Sequence, residues 1–221
     1  MSPSSRAEPS APEAKRRLPL GGRRLVVAVL ALALTLMILV RCLLLEIFTV
    51  PSGSMEDTLM PGDRIAVWRV GQGHPERGQI IVFDGTGSLA PYRSEGGWLG
   101  HTLEVAGAWT GLRIREDVFV KRVIGVGGDT VRCCSADGRL VVNGQPLTEP
   151  YLPPGEKPSE QEFSVRVPAG RLWVMGDHRS DSRDSRALLG APGGGMIRED
   201  RIIGTPVAVV WPLHRIHSLD R

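Results

Sequence analysis

Ser52, Gly53 and Ser54 stand together in "FTVPSGSMEDTLMPGDRIAV", Phe48 to Val67. A serine attacks a carbonyl carbon once a neighbouring base takes its proton. A second hydroxyl two residues away can donate to the oxyanion that forms. The same residues also suit a plain turn that releases the chain from the apolar run before it. A candidate base is Lys121 in "DVFVKRVIGV". As a strand, this segment puts Phe119, Lys121 and Val123 on one face and Val118, Val120, Arg122 and Ile124 on the other. A lysine between apolar neighbours loses hydration, its pKa falls, and a neutral amine becomes available near neutral pH. An exposed edge-strand lysine would show the same pattern. The third polar concentration is "MGDHRSDSRDSR", Met175 to Arg186, with Asp177, Arg179, Ser182, Asp184 and Arg186. It reads either as a solvated loop or as one whose bidentate Arg–carboxylate bonds order a neighbouring site.

Other chemistries find little support. There is no G-x-S-x-G elbow, H-E-x-x-H, P-loop or G-x-G-x-x-G after a strand. "GVGG" from Gly125 to Gly128 reads as a turn between strands. The five histidines are scattered and select no triad. The three cysteines (Cys42, Cys133, Cys134) form no CxxC and no Cys/His cluster of zinc spacing, so no metal is expected. The adjacent Cys133 and Cys134 suit two thiols or a vicinal disulfide.

The 221 residues suit one folded domain with appendages. Residues 1–24 carry six Lys or Arg against two Glu, a net of +4, so the formal +3 of the chain leaves −1 for the remainder. The basic charge thus belongs to the tail. That argues against a nucleic-acid footprint on the domain, and the 5% aromatic content argues against a stacking platform. The tail is predicted to be disordered and to stay cytoplasmic.

"LVVAVLALALTLMILV", Leu25 to Val40, holds sixteen residues without a charge. At about 1.5 Å per residue it spans roughly 24 Å, short of a roughly 30 Å hydrocarbon core. Continuation past Arg41 closes the gap if that side chain snorkels. The segment 25–47 is therefore read as a transmembrane anchor helix. A cleavable signal peptide competes, but no A-x-A-like site follows the run. Residues 48–221 read as a β-rich extracytoplasmic domain, from short β-branched runs between Gly, Pro and Asp turns. Asn143-Gly144 has hairpin-turn chemistry. The stretch 84–116 reads as loops with one strand pair.

In order, the anchor, "PSGSM", "GDRIAV", "VKRVIGVGGD" and "GDHRSDSRDSR" resemble the bacterial type I signal peptidases, from the anchor to near the C-terminus. The related enzyme of the endoplasmic reticulum carries histidine where Lys121 stands, so the lysine favours the bacterial type. The resemblance implies a mainly β, LexA-like catalytic fold with an inserted smaller β-region around Cys133 to Val142, after one transmembrane helix. It implies Ser54 as nucleophile, Lys121 as general base, and Ser52 with the Ser54 N–H as oxyanion hole. Ser182 would orient the lysine amine, Asp184 and Arg186 would brace the loop, and Asp177 and Arg179 would support it. Met55 would pack beneath the nucleophile. Two departures stand out: Asp57 where proline is common, and His178 where asparagine is common.

The substrate implied is the signal peptide of an exported preprotein, cut after small residues of the Ala-x-Ala type. The setting implied is the bacterial cell membrane, near the protein-export channel, with no cofactor. Two other readings stay open: a self-cleaving regulator of the LexA kind, which shares the dyad, and a single-pass membrane protein whose β-domain only binds a partner. The anchor and the absence of a DNA-binding helix pair weigh against the first. The joint presence of Ser54, Lys121 and Ser182 weighs against the second.

Overall fold

The structure, a computed structural model, describes residues 20–69, 74–90 and 117–219. The expected disordered tail, the placement of the Arg41 side chain and most of the 84–116 stretch lie outside what is described. By internal contacts the chain forms two units, Met1–Arg41 and Cys42–Arg221. The described part of the first belongs to helix α1, Leu20–Leu44, whose window Gly22–Leu39 is long and apolar enough to cross a membrane. Leu25, Leu30, Leu32 and Leu36 are all exposed there.

The second unit is built from antiparallel strands: β1 Leu45–Thr49, β2 Arg64–Trp68, β3 Ile80–Asp84, β4 Val118–Gly125, β5 Thr130–Cys133, β6 Val141–Val142, β7 Gln145–Pro146, β8 Phe163–Arg166, β9 Arg171–Met175, β10 Ile197–Arg198, β11 Ile202–Trp211 and β12 His217–Ser218. Among the described residues these form an eight-stranded sheet, β1-β2-β11-β3-β4-β9-β10 with β12 on β11, and a small sheet, β7-β6-β5-β8. The expected mainly β fold with a smaller β-region is thus what the chain adopts.

The helix ends earlier than expected. Leu45–Ile47 prolong the apolar run in sequence, yet Leu45–Thr49 pair residue for residue with Trp68–Arg64. Ile47 and Phe48 are β-formers, and the waiting edge of β2 decides their state. Pro206 lies inside β11, where a missing N–H would break a ladder; a register shift between Pro206 and Ala208 takes up the gap. Asn143 (φ 52°) and Gly144 (φ 82°) form the β6–β7 turn, and two successive positive φ angles are what a two-residue hairpin with the favoured twist requires. Cys133 and Cys134 are joined by a disulfide across a cis peptide bond. Of the 84–116 stretch, the described part is a turn closed by a Thr86–Ala90 bridge.

Two apolar clusters frame the region of interest. One gathers Phe48, Val50, Met55, Leu59, Ile65, Val67, Ile80 and Val82. The other gathers Ile81, Phe83, Val123, Leu172 and Val174, with Phe119 against it. Strand β4 takes part in both, because its alternate residues face opposite ways.

Candidate active site

Ser54 sits in the β1–β2 connection. That loop is closed at its neck by Val50 N–H donating to the Asp63 carbonyl and Gly62 N–H to the Val50 carbonyl, both 2.8 Å. Within it, Glu56 N–H donates to the Gly53 carbonyl and Leu59 N–H to the Met55 carbonyl. Met55 and Leu59 are fully buried in the first cluster and pull the turn onto the sheet. Met55 therefore packs below the turn, as expected. Asp57 takes φ 75°. Proline is held near −65°, so this backbone is one that the residue common in similar sequences does not adopt.

Lys121 lies midway along β4, opposite Ile81, with Phe119 opposite Phe83 and Val123 opposite Val174. Its immediate neighbours on its own face are thus apolar, as the alternation indicates. The side chain is 3% exposed, and Nζ is in hydrogen-bond contact with Ser54 Oγ. Burial lowers its pKa to about 8, opposed by the charges of Asp184, Asp177 and Asp181 and assisted by Arg186. Ser54 is itself nearly buried, and Ser52, exposed, places Oγ 3.4 Å from Ser54 Oγ.

The loop after β9 folds back over this pair. His178 N–H donates to the Ser54 carbonyl at 3.3 Å. At Gly176 a Cβ would stand 2.3 Å from both the Ser54 carbonyl oxygen and Ser182 Oγ, so only glycine allows this approach. Ser182 is accordingly brought beside Ser54. Its Oγ is buried without a hydrogen-bond partner among the described residues, so the structure holds no hydrogen bond to the lysine amine of the kind the resemblance implies. Asp184, wholly buried, accepts from Gly176 N–H and from Arg186 Nε and Nη2 at 2.8–3.0 Å. Burial works to raise its pKa, but the Arg186 hydrogen bonds and charge outweigh it and hold the carboxyl below its ordinary range. Arg186 Nη2 also donates to the Arg179 carbonyl at 2.7 Å.

Asp177 is wholly buried and receives both Nε and Nη2 of Arg122, at 2.8 and 2.6 Å, with Thr58 Oγ1 donating at 2.6 Å. Arg179 is paired with Glu149. Arg122, Thr58, Glu149 and Tyr151, whose ring lies 3.8 Å from the Arg122 guanidinium carbon, had no assigned role in the sequence reading. The signal for Arg122 was available in part: the strand alternation sends it away from Lys121, toward some other partner. Among the described residues no group of three or more His, Cys, Asp or Glu side chains is arranged to hold a metal ion.

Comparison with known proteins finds relatives of one family. A family model described as signal peptidase, peptidase S26, matches residues 23–211. The chain is 38% identical over 200 residues to a probable signal peptidase I of Mycobacterium leprae, covering 76% of this chain and 69% of that one. It is 32% identical over 204 residues to a signal peptidase I of Bacillus licheniformis, covering 88% and 91% respectively. A crystal structure of a signal peptidase I from Enterococcus faecalis V583 is 24% identical, with a TM-score of 0.39 over 60% of this chain and 97% of that chain.

Proposed function

The chain belongs to the signal peptidase family, peptidase S26, and from that premise we propose a membrane-bound serine endopeptidase with Ser54 as nucleophile and Lys121 as general base. The observation that carries this reading is the contact of Lys121 Nζ with Ser54 Oγ in a setting that lowers the lysine pKa to about 8. A neutral amine is then accessible near neutral pH. It takes the Ser54 proton as Oγ attacks the scissile carbonyl, and the resulting ammonium protonates the leaving amine. Water deprotonated by the same amine then hydrolyses the acyl-enzyme.

Ser52 Oγ and the Ser54 N–H are the donors for the oxyanion, each worth about 3 kcal/mol in the transition state. The proximity of the two hydroxyls supports that assignment. Ser182 supplies a hydroxyl that can turn toward the amine. The Asp184–Arg186 and Asp177–Arg122 pairs, with Arg179 on Glu149, hold its loop in place.

The substrate is the signal peptide of an exported preprotein, bound extended beside the sheet and cut after small residues of the Ala-x-Ala type. Helix α1 serves as the membrane anchor. The six basic residues of the first 24 keep the N-terminus cytoplasmic, and the β-domain lies outside, near the export channel. No cofactor and no nucleic-acid partner enter.

The test is cleavage of a preprotein in detergent. Ser54→Ala and Lys121→Ala should each lower kcat/KM on the order of 10⁴-fold or more. Turnover at the wild-type rate by either variant overturns the dyad. A wild type inert on several Ala-x-Ala substrates favours a binding protein. Cleavage confined to its own chain favours a LexA-like regulator.

A further inference from the structure

Outside the Ser54–Lys121 pair, the described residues hold a second buried polar arrangement, and it reaches into a segment that touches none of the reacting atoms. Residues 149–158 leave the small sheet after β7 and grip the loop that follows β9. Glu149, with only 4% of its side chain exposed, pairs with Arg179, 1% exposed. The Pro158 carbonyl accepts from Arg179 Nη1 at 2.9 Å, and Glu156 Oε1 accepts from Ser180 N–H at 2.5 Å. Tyr151 donates its hydroxyl to Glu149 at 3.0 Å and lays its ring against Arg122. Burial holds the Tyr151 phenol well above its ordinary pKa, so it remains a donor. Arg122 in turn holds Asp177 and reaches the Gly78 carbonyl, and Asp177 receives Thr58 from the Ser54 turn.

These bonds connect four segments: the strand carrying Lys121, the turn carrying Ser54, the loop carrying Ser182 and Asp184, and the 149–158 segment. We propose that residues 149–158 form a strap that holds the 177–182 loop against the Ser54–Lys121 pair, with Glu149 and Tyr151 as positioning residues for the lysine amine. Neither residue contacts the reacting atoms; both act through Arg179 and Arg122. This rests on the Ser/Lys reading above and adds the small sheet to the apparatus that prepares the base.

The physical consequence has a definite sign. Lys121 owes its low pKa first to burial, against the charges of Asp184, Asp177 and Asp181 and with that of Arg186. A loosened strap lets the loop lift and water reach the amine, and the pKa climbs toward its ordinary value of 10.5. A purely Coulombic effect of removing the Glu149 charge would go the other way, because a nearby carboxylate stabilises the ammonium. Tyr151→Ala changes no charge at all.

The chain has three lysines, Lys15, Lys121 and Lys157, so ε-carbon-labelled lysine gives three NMR signals that can be titrated in the full-length protein in detergent. Lys121→Arg identifies the relevant signal. In Glu149→Gln and Tyr151→Ala the Lys121 midpoint should rise by about half a unit or more, equivalent to about threefold less neutral amine at pH 7. Tyr151→Phe, which keeps the ring on Arg122, should give a smaller rise and remains usable if the other variants fold poorly. An unchanged midpoint with a lowered melting temperature overturns the proposal, because the strap is then only structural. A lowered midpoint in Glu149→Gln overturns it as well. The titration needs no substrate, so a wild type that fails to cleave preproteins sinks the functional reading while leaving the strap testable.

Discussion

The two faces of β4 carry adjacent cations with opposite fates. Arg122 meets a carboxylate through two parallel hydrogen bonds, with Tyr151 behind it. Lys121, one residue earlier and on the opposite face between Phe119 and Val123, meets a hydroxyl. The guanidinium is planar, permanently charged and suited to bidentate pairing, so it serves as a fastening. The ammonium is a point charge that gives up its proton more readily when dehydrated, so the same burial suits it to the proposed role of base. Residue type and partner together set Arg122 up as a structural cation and Lys121 as the cation suited to the proposed proton transfer.

The comparison can be broken by exchanging the two chemistries. Lys121→Arg places a group that stays protonated at the position of the base. Cleavage of a preprotein should fall on the order of 10⁴-fold or more, with circular dichroism unchanged. Activity near the wild-type level would mean that proton transfer runs elsewhere. The reverse operation concerns stability. Arg122→Ala strands the wholly buried Asp177 carboxylate and should cost about 3–5 kcal/mol in denaturant unfolding. Arg122→Lys keeps the charge but loses the fork, and should fall between the wild type and the alanine variant.

A smaller effect sharpens the difference. The folded-state pKa of Lys121, about 8, lies below its ordinary 10.5. Between those values the unfolded chain binds a proton that the folded chain has released, so stability rises with pH across that window. Lys121→Met should therefore melt above the wild type at pH 7, and the gap should narrow from pH 8 to above 10. A gap independent of pH would show that the amine is not penalised by burial. Smallest of all is the exposed Arg139–Asp137 pair: Arg139→Ala should leave the melting temperature unchanged, against the large effect of Arg122→Ala.

Much of this was legible in the sequence. Period-2 alternation divided β4 into its two faces, and Asn143-Gly144 marked the β6–β7 hairpin, because both signals are local. The order of the polar motifs brought Ser54, Lys121 and the 177–186 loop under one reading before any coordinates. What escaped depended on partners far along the chain. Leu45–Ile47 looked like more anchor until β2 supplied an edge. The partners of Arg122 and Arg179 lie 55 and 30 residues away in Asp177 and Glu149, and no local pattern announces such a pairing. The two-residue strands β10 and β12 are too short for any periodicity to show.

The left-handed backbone at Asp57 bears on how this protein can be altered. Moving it toward the sequences it resembles would suggest Asp57→Pro, the kind of consensus change that often stabilises a loop. Here the ring would have to turn that residue's φ from 75° to about −65°. The turn that delivers Ser54 would be rebuilt in the process. The substitution is therefore not independent of its surroundings: proline becomes acceptable only together with changes that let the whole 52–59 turn take another path. Two relatives could each carry a good version of this loop while a chimera of the two carried neither.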